Sequence, residues 1–174
     1  MNDRPMTPEE FRAFREGLGL SISRCARVLG CNPRTVQRFE AGDHGIAPRT
    51  AMLARRLFAD AERAAREAAA VARERAADQG GAPAVVALLA YRRDEDLAEA
   101  DREALERWRA VEVHRSVLNR AARLIEADGG RAAVVTFDPL DYRRWCAAEP
   151  RFASVPERAR RLAYAAARAG ARTE

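Results

Sequence analysis

The sequence predicts a mainly α protein of the α+β class: an N-terminal bundle of short helices, a long connecting helix, and a C-terminal half with two short strands among further helices. Three observations predict it. Between Thr7 and Gly42, short helical stretches each open on a capping residue and close on glycine. From Pro48 to about Ala77 the chain has no glycine and no internal proline, so one helix of about 45 Å is expected. Two apolar runs rich in β-branched and aliphatic residues, 84–91 and 132–137, interrupt the charged helical stretches of the second half.

Taken in order, Thr7-Pro8-Glu9-Glu10 is a helix start. Threonine caps, proline takes the first helical position, and Glu10 closes a capping box. Phe11 and Phe14 mark the inward face, and Gly17-Leu18-Gly19 ends the helix. Ser21 caps a second helix whose Cys25, Ala26 and Leu29 face inward until Gly30, and Asn32-Pro33 opens a third that buries Val36 and Phe39 before Gly42. After a loop at Asp43-His44-Gly45, Pro48 starts the long helix, whose inward stripe is expected at Leu53, Leu57, Ala64, Ala68 and Val71. Its length suggests a stalk or a pairing helix. Asp78-Gln79-Gly80-Gly81 marks a boundary, giving three parts: 1–58, a connecting segment 59–81, and 82–174.

In the second half a strand over 84–91 is followed by a charged helix from Glu95 to about Arg109. An amphipathic helix from Val111 to Asp128 follows, with Val113, Val117, Ala121 and Leu124 on one stripe. The second strand leads into Asp138-Pro139, a cap and first-position pair, and a closing helix begins around Ser154-Val155-Pro156-Glu157 and carries Leu162 and Tyr164. Two strands with open edges invite pairing with a second copy, so a homodimer through this half is expected.

Composition narrows the function. Of the 174 residues 48% are hydrophobic but only 6% aromatic, which points to an alanine-rich, thinly packed helical core. No apolar window is long enough for a membrane span, and MNDRPMTPEE resembles neither a signal nor a transit peptide, so a cytoplasmic protein without a membrane partner is expected. Three cysteines without a C-x-x-C pair and only two histidines give no basis for a disulfide, a metal or another cofactor; Cys25 and Cys31 suit a small apolar core role. No phosphate loop, G-x-S-x-G, H-E-x-x-H or Cys-His pair is present, so no enzyme is expected. Asp94-Glu95-Asp96 suits a solvated helix start. Trp108, Trp145, Tyr91 and Tyr142 suit core and dimer contacts, and His114 suits the surface or an interface. No ligand pocket is legible, so regulation by protein concentration is expected.

The net charge is +5, and all 31 basic side chains are arginine. Between Ser21 and Ala41 four arginines (24, 27, 34 and 38) face one acid, Glu40. Arginines one turn apart at the entrance of a helix can present bidentate donors to guanine edges in a DNA major groove. Three further positions support a helix-turn-helix: a small residue at the close approach (Ala26), a glycine for the left-handed turn (Gly30), and an aliphatic lock inside the second helix (Val36).

With this A-x3-G-x5-V spacing and the run R-T-V-Q-R-F-E-A-G, residues 7–58 resemble the lambda-repressor-like (Xre) family of DNA-binding domains. Phe39 stands where the family usually has tryptophan or leucine, and Ile22 where many members carry a phosphate-binding glutamine. Carried over by position, the resemblance implies base reading by Arg34, Arg38, Gln37 and Pro33. It implies phosphate contacts from Ser21, Ser23, Arg24, Asn32, Thr35, His44 and Arg49. In the second half, the order strand, helices, strand and D-P-L-D-Y-R-R-W resembles, over residues 84–148, the C-terminal region of some anti-CRISPR-associated autorepressors. That resemblance implies a phage or mobile-element repressor that binds double-stranded DNA at an inverted repeat as a homodimer. It also implies RNA as a further partner for some of these proteins. Two readings from other classes stand beside it: an antitoxin-like protein that neutralises a partner through its C-terminal half, and an RNA-binding post-transcriptional regulator.

Overall fold

The computed structural model describes residues 4–78 and 85–170, with 75–78 described by backbone alone. Gln79-Gly80-Gly81 and the start of the expected first strand at Ala84 lie outside the described residues. Four helices come first: α1 (Pro8–Gly17), α2 (Ile22–Leu29), α3 (Pro33–Ala41) and α4 (Pro48–Asp78). Strand β1 (Val86–Ala90) leads to α5 (Asp94–Ala100), α6 (Arg102–Trp108) and α7 (Val111–Ala127). Strand β2 (Ala132–Thr136), α8 (Pro139–Ala148), a 3₁₀ turn and α9 (Glu157–Gly170) follow. The chain is mainly helical with a small β part, as the sequence predicts.

The first three helices start where their side chains dictate. Thr7 Oγ1 accepts from the Glu10 amide at 3.2 Å while the Glu10 carboxylate accepts from the Thr7 amide at 2.9 Å, the reciprocal capping box. Ser21 and Asn32 cap α2 and α3 by accepting from the amides of Arg24 and Arg34. Gly30 closes α2 with φ 69°, a left-handed turn that a side chain would strain.

The two strands run parallel, with Val86 opposite Ala132 and Ala90 opposite Thr136. Successive strand residues face opposite ways. Leu89, Tyr91, Val135 and Phe137 join an aromatic cluster with Tyr142, Trp145 and Tyr164 of α8 and α9. Val86, Leu88 and Ala132 pack instead on Ala69 and Ala72 of α4 and Ile125 of α7. The sheet is therefore clothed by helices on both faces within one chain, which is why both strands read as continuous apolar runs.

The long helix is not a stalk. It lies along α7, and one core runs from Phe11, Val36 and Leu57 through to Trp108, Val113 and Val117. The buried stripe of α4 is Ala51, Ala54, Leu57, Ala61, Ala65, Ala69 and Ala72. Of the expected stripe only Leu57 is buried; Leu53, Ala64 and Ala68 are half-buried, and Val71 is exposed. The physical reason is close approach: alanines let the α4 and α7 backbones come together, whereas the larger aliphatics fit at the margin. On α7, Ile125 rather than Leu124 completes the inward stripe, and on α9 Leu162 is exposed while Tyr164 is buried.

The single helix expected from Glu95 to Arg109 is two. Asp101 leaves helical geometry (φ −156°, ψ 87°) and caps α6, its carboxylate accepting from the Ala104 amide at 2.9 Å. Arg109 then takes the left-handed conformation (φ 61°) that lets α7 begin at Val111, a position with a cost of order 1 kcal/mol for a residue with a Cβ.

Candidate nucleic-acid interface

Helix α3 turns Val36 and Phe39 into the core and leaves Pro33, Arg34, Gln37 and Arg38 exposed. Positions 34, 37 and 38 are three and four residues apart and share one face. Its only acid, Glu40, points the other way. The Glu40 carboxylate accepts from Arg15 Nε at 2.5 Å, and Arg12 Nη2 donates to the Glu40 carbonyl at 3.1 Å, so this acid ties α3 to α1. Among the described residues neither Arg34 nor Arg38 has an ion-pair partner, and the outer face of α3 carries positive charge alone.

The residues expected to hold phosphates divide into groups. Ser21 and Asn32 serve as helix caps through their side-chain oxygens, yet both residues are exposed and keep donors for a phosphate. Ser23 is exposed and Thr35 half-buried. His44 is exposed on the loop after α3 with its ring stacked on Phe39, centroids 5.9 Å apart. Arg49 lies elsewhere, on a cleft of about 680 Å³ beside the Gly30 turn.

Arg24 departs from the expected phosphate role. Its Nη2 donates to Asp94 at 2.6 Å and to Glu112 at 2.7 Å, and its Nε donates to Glu112 at 3.0 Å. These charge-assisted bonds hold its pKa well above the ordinary arginine range, the Asp94 bond foremost. The guanidinium is committed to joining α2 to α5 and α7. Asp94 is likewise not a solvated helix start: beside Arg24 its carboxylate also accepts from the Val111 amide at 2.8 Å, capping α7 from another helix, and its pKa is held below the usual range.

Further bonds cross the same seam. Ser116 Oγ donates to the Gly17 carbonyl at 2.9 Å, Arg120 donates to that carbonyl and pairs with Glu62, and Arg109 Nη1 donates to the Val28 carbonyl at 3.3 Å. A Cβ at Gly17 would come within 3.0 Å of Phe58 and 3.2 Å of Arg120, so the end of α1 needs glycine for this close approach.

The cleft beside Gly30 adds residues that sequence reasoning left out. Arg27, Arg56 and Arg109 line it with Arg49, and no aspartate or glutamate is among its lining residues. Arg56 reaches Asp60 only at 3.8 Å. Arg27 and Arg56 carry a faint signal, as arginines on the outer faces of their helices. Arg109 carries none, because it arrives from beyond the sheet's first strand. The cleft adjoins the Gly30 turn, three residues before the first residue of α3, and lies at the α2–α4 junction. Backbone amides at the start of α3 and the guanidinium groups together suit a polyanion.

Among the described residues no group of three or more histidine, cysteine, aspartate or glutamate side chains gathers as a metal site, and no helix is long and apolar enough to cross a membrane. Cys25 is buried, and burial pushes its thiol pKa up to about 12, as suits a core residue. Neither the protein families nor the curated proteins compared with this sequence match it.

Proposed function

We propose that the chain is a sequence-specific DNA-binding transcriptional repressor that acts as a homodimer on an inverted repeat and controls its own operon, with anti-CRISPR control as one candidate setting. The observation that carries this reading is the outer face of α3, where Arg34, Gln37 and Arg38 stand exposed and unpaired while the helix's only acid is tied to α1. Arg34 and Arg38 read guanine edges, and Gln37 between them suits adenine. Ser21, Ser23, Asn32, Thr35, His44 and Arg49 fix the register on phosphates, joined by Arg27 and Arg56 from the basic cleft. One such module makes few base contacts, so two copies about 34 Å apart supply the specificity.

The test is a binding titration against the DNA upstream of the chain's own gene, with random duplex and the matching transcript as competitors. Tight binding to the upstream duplex over both competitors is expected. Arg34→Ala combined with Arg38→Ala is expected to remove discrimination between operator and random DNA without altering the dimer in sedimentation. Unchanged discrimination in that variant overturns the assignment, and preference for the transcript moves it to RNA.

A further inference from the structure

A second site lies away from α3. Between β1, α7 and α9 a pocket of about 370 Å³ opens, with Ala68 of α4 on its rim. Its lining is apolar at Leu88 from β1, Leu118 from α7 and Leu162 from α9, and polar at His114 from α7 and at Arg158 and Arg161 from α9.

Arg161 is the only buried charged residue among those described, at 6% exposure. Its Nε donates to Glu157 at 2.7 Å and its Nη2 to Glu99 at 2.9 Å, and the guanidinium lies 4.8 Å from the centre of the Phe137 ring. Its Nη1 is buried and makes no hydrogen bond. Burial works against the Arg161 charge, and the side chains of Glu157 and Tyr91 hold its pKa above the ordinary arginine range all the same.

His114 of α7, which also lines the pocket, has a buried Nδ1 that makes no hydrogen bond, and its ring lies 6.0 Å from Tyr91. Asp101 also lines the pocket, but its carboxylate is engaged in capping α6. Arg158, exposed at the mouth, adds positive charge.

A buried polar atom without a hydrogen-bond partner is costly, and Arg161, whose Nη1 is a donor, and His114, whose Nδ1 donates or accepts according to tautomer, both line this pocket, so an occupant there completes the hydrogen bonding. The occupant must bring an acceptor for Arg161, a hydrogen-bonding atom within reach of His114, and an apolar body for the leucines. We propose that this pocket binds a small amphipathic monocarboxylate, its carboxylate on Arg161 and His114 and its hydrocarbon against Leu88, Leu118 and Leu162. The volume is at the small end of the range for organic ligands, which favours a single chain or ring over a nucleotide. No ligand pocket was legible in the sequence, and the fold supplies this one.

The experiment is calorimetric titration of the full chain with hexanoate, octanoate and decanoate, with octanol as the uncharged control and imidazole proton resonances as the locating signal. The chain has two histidines, so His114 and His44 report separately. Saturable binding of at least one carboxylate is expected, at least tenfold tighter than octanol, with the His114 resonance moving and that of His44 fixed. Leu118→Trp fills the pocket and should abolish binding. Arg161→Met should reduce octanoate to the level of octanol. Should that variant fail to fold, the octanol comparison and Leu118→Trp still decide. No saturable binding by the folded wild type, equal affinity for octanol, an unmoved His114 resonance, or undiminished binding to folded Leu118→Trp overturns the proposal. None of these readouts involves DNA, so this site and the α3 reading fail or survive separately.

Discussion

The outer face of α3 and the seam between α2 and α7 are built from the same residue type and treat it in opposite ways. On the seam Arg24 reaches two carboxylates, from α5 and from the first turn of α7, and hydrogen bonds from its Nε and Nη2 secure it. On α3, Arg34 and Arg38 extend into solvent with no ion-pair partner among the described residues. The histidines repeat the contrast, with His114 against Tyr91 and His44 on an exposed loop. In a protein without lysine, the count of positive charges says little about where a polyanion can bind. What distinguishes an interface from a strut is whether the fold has already supplied the counter-charge.

The contrast breaks most visibly in acid. Burial holds the His114 pKa at about 4, against an ordinary value of 6.5. The unfolded chain takes up this proton near pH 6.5, and the folded chain resists until near pH 4. The associated stability is therefore complete above pH 6.5 and is lost as pH falls towards 4, by about 3 kcal/mol. Denaturation midpoints between pH 7 and 4 should show this loss. His114→Leu should flatten the profile.

Next in size is Arg24→Ala, expected to destabilise by about 2 kcal/mol because it removes several charge-assisted bonds and leaves Asp94 and Glu112 partly buried without their cation. Its readout is urea denaturation. A loss of operator affinity without a loss of stability would return Arg24 to the phosphate-binding set. Ser21→Ala, which removes the α2 cap, should cost about 1 kcal/mol. Arg34→Ala should change stability by less than about 0.5 kcal/mol. The same substitution should lower discrimination between operator and random DNA by about 1–3 kcal/mol, roughly fivefold to 150-fold. A stability loss as large as that of Arg24→Ala would erase the distinction between the two regions.

What could be read from the sequence follows the range of the forces involved. The starts of α1, α2 and α3 and the Gly30 turn were legible because caps and left-handed turns act over two or three residues: Thr7 with Glu10, Ser21 with Arg24, Asn32 with Arg34. Both strands were legible as apolar runs, and Trp108, Tyr91, Tyr142 and Trp145 were rightly placed in the core. The inward face of α4 was not. Alanine carries too little hydrophobic contrast to outweigh Leu53 and Val71, and only the presence of α7 shows that small side chains are the ones enclosed. The break at Asp101 was hidden because acids suit a continuing charged helix as well as a cap. Arg24 could not be assigned from its neighbours, since its partners lie 70 and 88 residues further on. The pocket at Arg161 and His114 was invisible for the same reason, as it draws its walls from four helices and a strand.

The core that runs from Phe11 through Leu57 to Trp108 and Val117 has a consequence for how such a protein can be altered by recombination. A lineage that exchanged only the first 58 residues for those of another protein would bring in a bundle with no matching bed for Trp108 and Val113, and would lose the arginine that holds Asp94 and Glu112. New surface chemistry is therefore more accessible by point changes on the outer face of α3, which touch nothing inside, than by swapping the bundle whole.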